Sequence, residues 1–230
     1  MSKRRKILVV CCTSGDGKST QLLTSLAPMA KDVTVVIIPN NSTGLAKVYN
    51  RYIDSENLIK HDIVLFVHDD VYIDDLKLAG KLYTAINELQ YDIVGLAGAK
   101  EVKIQKPCLW HKMSSPASWT GAVAHPVDAD SKLQKLQTTT YGPWPMRCVL
   151  LDGLFIAVDL KRVLEVGWKF NENYEFHHYD LSSCIDANKK QLRMGTYPIY
   201  VTHNSPGLLD YNDVKYQQSE KRFYNEYKNG

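Results

Sequence analysis

Four short stretches in the first hundred residues are almost wholly apolar and rich in β-branched side chains: Ile7 to Cys12, Val33 to Ile38, Ile63 to Val67 and Ile93 to Leu96. Strands covered by helices on both faces read this way, because neither face is left to water. Between them the spacing changes. Leu45, Val48, Tyr49, Tyr52 and Ile53 recur at helical intervals. Leu78, Leu82, Ile86 and Leu89 form a second stripe, preceded by Asp74 and Asp75, where the positive end of a helix dipole favours acids. The alternation β-α-β-α-β-α-β predicts an α/β fold on a mostly parallel, doubly wound, Rossmann-like sheet. Past Gly98 the regularity stops. Residues 100–147 hold Pro107, Pro116, Pro126, Pro143 and Pro145 together with Trp110, Trp119 and Trp144, a mixture that resists helix and predicts long loops with short strands. Pattern returns with Val149 to Val158, a helix over Leu160 to Val166, a helix from about Asp180 to Leu192 and a strand from Thr196 to Thr202. Tyr211 to Gly230, polar and rich in Tyr and Lys, reads as a closing helix or a frayed tail. No repeat or linker interrupts the chain, so residues 1–230 read as a single domain.

Composition narrows the class. A chain of 230 residues with 44% hydrophobic and 23% charged positions can close a sizeable core, which excludes a disordered tail, a collagen-like rod and a disulfide-stapled miniprotein. Runs such as Ile63 to Val67 and Val149 to Leu151 fall far short of the roughly 18 apolar residues of a membrane span. The start, Lys3-Arg4-Arg5-Lys6 before Ile7 to Cys12, imitates a signal peptide, but its apolar stretch is short and runs straight into Thr13-Ser14-Gly15-Asp16-Gly17. The five cysteines, Cys11, Cys12, Cys108, Cys148 and Cys184, are odd in number, form no C-x-x-C pair and sit in or beside apolar segments, which predicts reduced thiols and a cytoplasmic protein. The net charge of +3 is spread rather than gathered into a stripe, so anionic substrates are permitted but not demanded.

Three polar clusters stand at the ends or starts of patterned segments. Ile63 to Val67 ends in His68-Asp69-Asp70, and in an open parallel sheet ligands gather at the carboxyl ends of strands, so these groups are candidates for a divalent cation bridging phosphates. The competing role is a helix or turn cap. In Glu175-Phe176-His177-His178-Tyr179-Asp180-Leu181, Asp180 stands where a helical pattern begins and reads as a general base, as an N-cap, or as both. His203-Asn204-Ser205-Pro206-Gly207 follows the last strand, making His203 a candidate additional metal ligand. A fourth segment, Cys12 to Thr20, ends in Gly17-Lys18-Ser19 like a phosphate-binding P-loop, yet Cys12 stands where that motif needs its first glycine. A P-loop-like NTPase or kinase therefore stays as an alternative, as does a non-catalytic nucleotide- or carbohydrate-binding module.

As an ordered set, Thr34-Val-Val-Ile-Ile-Pro-Asn-Asn-Ser-Thr-Gly44, Leu45-Ala-Lys-Val-Tyr-Asn50 and Asp62-Ile-Val-Leu-Phe-Val-His-Asp-Asp-Val71 resemble the nucleotide-sugar half of a family 2 type glycosyltransferase with the GT-A fold. Leu151-Asp-Gly-Leu-Phe-Ile-Ala-Val158, Phe176-His-His-Tyr-Asp-Leu181 and His203 to Gly207 resemble its acceptor half, particularly in the small bacterial and phage branch whose metal motif begins with His. The resemblance divides the chain into a nucleotide-sugar half (1–99), an irregular acceptor-loop segment (100–147), an acceptor and catalytic half (148–207) and a tail (208–230). It implies Mn²⁺ or Mg²⁺ held by Asp70 and His203, a D-x-D-like motif at His68-Asp69-Asp70, and Thr13, Ser14 and Asn40 lining the nucleotide pocket. It also implies Asn50 beneath the donor, Asp152 and Gly153 flanking the transferred sugar, and Asp180 as the base of an inverting transfer to a hydroxyl. The implied acceptor is a glycan or, as in phage DNA, a hydroxylated base; Lys3 to Lys6, Lys161-Arg162, Lys189-Lys190 and Arg193 are candidates to meet DNA phosphates, and read equally as ordinary solvated surface. Two positions depart from the family: Pro39 stands where many relatives carry the aspartate that reads the base, and His68 replaces the first acid of D-x-D. Trp110, Trp119, Tyr141 and Trp144 are candidates both for stacking on a ligand and for core packing.

Overall fold

The computed structural model describes residues 6–18, 20–127, 135–205 and 210–229. Lys3 to Arg5, Ser19, and Pro206 with Gly207 lie outside the described residues. Thirteen strands are described, β1 (Ile7–Cys12), β2 (Val33–Ile38), β3 (Ile63–Val67), β4 (Val71–Ile73), β5 (Ile93–Gly95), β6 (Ala97–Ala99), β7 (Trp119–Pro126), β8 (Leu136–Gly142), β9 (Met146–Cys148), β10 (Leu150–Leu151), β11 (Phe155–Asp159), β12 (Met194–Thr196) and β13 (Val201–His203). The helices are α1 (Gln21–Leu26), α2 (Leu45–Tyr49), α3 (Ser55–Lys60), α4 (Leu78–Asn87), α5 (Leu160–Glu165), α6 (Tyr179–Lys189) and α7 (Val214–Tyr227). None of the described helices is long and apolar enough to cross a membrane.

The main sheet has the order β2-β1-β3-β11-β5-β12-β9. Strands β2, β1, β3, β5 and β12 run one way, while β11 and β9 run against them. Every residue of β1 and β3 is buried, as their unbroken apolar runs require. The apolar pattern locates these strands but carries no orientation, and the fourth strand of the predicted succession, β5, does not pair with β3. Antiparallel β11 lies between them, Phe155 opposite Val67 and Ala157 opposite Val94.

A second sheet, β10-β6-β7-β13-β4 with β8 paired to β7, takes two of its strands, β7 and β8, from the segment expected to be long loops with short strands. The β7–β8 hairpin lies within residues 100–147. The predicted strand Thr196 to Thr202 is two strands in different sheets, because Pro198 has no N–H to continue a ladder and the chain changes sheet there. Gly121 has φ +95°, and a Cβ there would stand 1.8 Å from the Leu96 carbonyl oxygen, so the join of β6 and β7 admits glycine alone.

Helix α4 starts at Leu78 rather than at the preceding acids. Asp75 instead accepts the Lys77 N–H (3.0 Å) and pairs with Lys81. Helix α7 settles the alternatives for the tail: it buries Tyr216, Phe223 and Tyr227 on one face. Tyr49 and Phe66 from the first half meet Phe170 and Tyr179 from the second, with centroids 4.7 Å (Tyr49–Phe66), 5.0 Å (Phe66–Phe170) and 5.9 Å (Phe170–Tyr179) apart. The two halves share this aromatic core directly beneath the carboxyl end of β3.

Candidate active site

Strand pairing brings the first cluster together. Antiparallel β4 and β13 set His203 opposite Val71, and Asn204 N–H donates to the Asp70 carbonyl (2.9 Å). His203 Nε2 lies 3.3 Å from Asp70 Oδ2, and one ligand atom each from His68, Asp70 and His203 falls within 4.8 Å of the others. Asp69 stands apart from this trio. Its charge acts on the β1 side, where burial first and Asp69 second raise the Cys11 and Cys12 thiols, Cys12 to about 12.

Burial pushes the Asp70 carboxyl up, but the hydrogen bond and charge of His203 outweigh it and hold Asp70 below its ordinary value. The same contact raises His203 in spite of its own burial. His68 is lowered, mainly by burial, and so is neutral near pH 7. Asp70 Oδ1 is buried without a hydrogen-bond partner. An orphaned carboxylate oxygen beside two imidazoles is a donor set that fits a divalent cation.

The second cluster stands at the turn into β11. His68 N–H donates to the Leu154 carbonyl (3.1 Å), tying the exit of β3 to residues 152–154. Asp152 Oδ1 accepts the Leu154 N–H (3.0 Å), while Asp152 Oδ2 accepts Trp110 Nε1–H (2.9 Å). Gly153 N–H donates to Asp180 Oδ2 (3.0 Å), and Asp180 Oδ1 accepts the Leu181 N–H (2.8 Å). The cap position of α6 belongs to His178, in the left-handed region at φ 64°, so Asp180 lies in the first turn rather than at the cap. Burial, and then the charge of Asp152, push Asp180 up to about 7. Tyr179 closes the gap between the clusters: its hydroxyl donates to the Gly153 carbonyl (2.8 Å) and lies 3.1 Å from His68 Nε2. A hydrogen-bonded track thus runs from His68 through Tyr179 and Gly153 to Asp180.

The loops after β1 and β2 form a third group. Thr13 N–H donates to Ile38 O (3.0 Å), Asn40 N–H to Gly15 O (2.7 Å) and Asn41 N–H to Thr13 O (2.8 Å), continuing the β1–β2 ladder past the strand ends. Thr13, exposed Ser14 and exposed Asn40 are therefore neighbours at the carboxyl edge of the sheet. Asn50 differs. It is buried, its amide donates to Phe170 O and Glu172 Oε1 (both 2.9 Å), and its Oδ1 accepts the Phe170 N–H (2.8 Å). Its side chain is spent on holding the 170–172 loop, so any part it plays beneath a ligand is exercised through that loop.

Sequence reasoning offered His68 within the His68-Asp69-Asp70 cation group but took only Asp70 and His203 as ligands from the resemblance; the structure groups His68 with those two. It left Tyr179 without a role, since nothing in a helical apolar spacing marks its hydroxyl. Trp110, one of the rings with two candidate roles, packs against Tyr141 (5.0 Å) and Trp119 (5.8 Å) while its indole N–H holds Asp152. His178 is structural: its Nδ1 lies 2.9 Å from Ser219 Oγ and its ring stacks on Phe223.

A search of curated proteins gives no match. Among solved structures, A197 from STIV is similar over 89% of this chain and 86% of its own, with 14% identity and a TM-score of 0.54. The S. aureus TarS 1-349 structure in complex with UDP is similar over 87% of this chain, with 14% identity and a TM-score of 0.50, and the chain spans 60% of its length. The profile described as "Glycosyltransferase like family" matches residues 9–227. That match removes the P-loop NTPase alternative, in keeping with Lys18 standing exposed and α1 being only six residues long. The chain belongs to the glycosyltransferase-like family and is a glycosyltransferase of GT-A fold.

Proposed function

We propose that the protein moves a sugar from a nucleoside diphosphate sugar to a hydroxyl acceptor with inversion, using a divalent cation held by His68, Asp70 and His203. The observation that carries this reading is the hydrogen-bonded track that runs from His68, clustered with Asp70 and His203, to Asp180. A cation bound there would neutralise the charge that develops on the departing diphosphate. Two imidazoles and one carboxylate are softer than the all-oxygen set Mg²⁺ prefers, so Mn²⁺ is the better fit. On this reading residues 1–99 bind the nucleotide and 148–207 the sugar and acceptor, within one domain.

Thr13, Ser14 and Asn40 line the nucleotide side, and Asn50 supports it through the 170–172 loop. Asp69 fills out the polar edge beside β1. Asp152 and Gly153 flank the transferred sugar, with Asp152 fixed by Trp110. Asp180, with a pKa near 7, is matched to accept a hydroxyl proton close to neutral pH. Half-buried Trp119 and Tyr141 meet Trp110 at Asp152 and offer ring faces to a pyranose, which supports a glycan acceptor.

The test is a panel of nucleotide sugars with Mn²⁺, read as slow donor hydrolysis and as a thermal shift. UDP-sugars come first, since a similar structure is a complex with UDP. One donor should protect the fold in the presence of the cation, and silence toward every donor overturns the proposal. Retention on DNA that fades steeply with salt would move the acceptor from a glycan to a modified base.

A further inference from the structure

We propose that Tyr179 is a positioning residue that fixes which nitrogen of His68 is free to bind the cation. This rests on the metal reading above and goes beyond it by assigning a role to a residue outside the ligand set.

A tyrosine hydroxyl carries one hydrogen. In Tyr179 it is directed to the Gly153 carbonyl oxygen (2.8 Å), which cannot donate in return. Toward His68 Nε2, at 3.1 Å, the hydroxyl oxygen can therefore act only as acceptor. His68 must then carry its proton on Nε2, and in the neutral ring the lone pair is left on Nδ1. With Nε2 taken up by the tyrosine, Nδ1 is the one ring nitrogen left through which His68 would join Asp70 and His203 around a cation. Without the tyrosine hydroxyl nothing holds the proton on Nε2, and a proton that moves to Nδ1 uses up the lone pair the cation needs. An outer hydrogen bond that orients a ligating imidazole and fixes its tautomer is worth about 10- to 100-fold in metal affinity.

The arrangement is held from several sides. Tyr179 is 3% exposed, with its ring against Phe170 (5.9 Å) and Tyr49 (6.1 Å). Gly153 takes the tyrosine hydrogen on its carbonyl and gives its N–H to Asp180, so one residue orients both the cation ligand and the carboxylate of the second cluster. A Cβ on Gly153 would stand 2.7 Å from the Tyr179 hydroxyl oxygen, which shows how closely the three groups are fitted.

The test compares wild type with Tyr179→Phe, which keeps the ring and its packing and removes only the hydroxyl. Mn²⁺ titration followed by electron paramagnetic resonance should show Kd raised about 10- to 100-fold in the variant. Long-range ¹H–¹⁵N spectra of the metal-free wild type at pH 8 should show His68 protonated at Nε2; this second measurement needs no variant. A proton on Nδ1 in wild type overturns the proposal. So does equal Mn²⁺ affinity in the two proteins, even if the variant melts lower, since a merely structural hydroxyl would change stability alone. Wild type that binds no Mn²⁺ removes the metal reading and this inference together, whereas tight binding by both proteins removes this inference only.

Discussion

A carboxylate that takes a proton from an alcohol near pH 7 needs to sit well above its ordinary range, and half-buried Asp180 does so through loss of solvation and the neighbouring charge of Asp152. Asp180→Asn should reduce transfer by about 10²- to 10⁴-fold while donor binding survives, measured by turnover and by titration with the nucleotide. The sign of the stability effect is fixed as well. Because folding raises this carboxyl, the native state holds the proton more tightly than the unfolded chain, and stability falls as pH rises from about 4 through 7. The Asn variant lacks that loss, so its melting temperature should gain on wild type between pH 5 and pH 8. Asp70→Ala should abolish the cation-dependent part of nucleotide binding, read as loss of the thermal shift that Mn²⁺ adds. Asp70 and His203 stood out in the sequence as polar groups at the ends of apolar runs, and Asp180 as a carboxylate where a helical pattern begins. The hydroxyl of Tyr179 and the indole N–H of Trp110 did not, since their roles depend on partners 111 and 42 residues distant.

At the level of elements, β1 and β3 were plain because burial on both faces forces unbroken β-branched runs, and edge strand β2, partly buried, carries the same kind of run; all three match their predicted limits. Short elements carry too few residues to establish a period. Helices α1 and α3, six residues each, are marked mainly by their caps, Thr20 accepting from Leu23 and Asp54 from Asn57. In the β7–β8 hairpin the prolines of residues 100–147 masked the signal, although the run Thr138-Thr139-Thr140 is β-branched and lies in β8. Where β6 meets β7, no side chain can be admitted. Gly121→Ala should cost at least about 2 kcal/mol in urea unfolding, combining a positive φ with a backbone clash. Gly153→Ala should instead reduce activity more than stability, because the new methyl pushes on the Tyr179 hydroxyl and on the Asp180 Cβ, 3.0 Å away.

Across the whole molecule, α7 is a clamp rather than a tail. Glu220 accepts the Cys108 N–H (2.9 Å), Glu226 accepts from the Tyr174 hydroxyl (2.8 Å), and Phe223 is fully buried between Tyr174, His178 and Tyr227. Phe223→Ala should lower the unfolding free energy by about 3–5 kcal/mol, measured by denaturant titration. Strand β11 does the corresponding work inside the sheet, bonded to β3 on one flank and β5 on the other. Amide hydrogens on such a strand exchange only when the entire protein opens. The turn that presents Asp152 and Gly153 is rooted in it, so the groups proposed to flank the sugar share the protection of the strand that opens last.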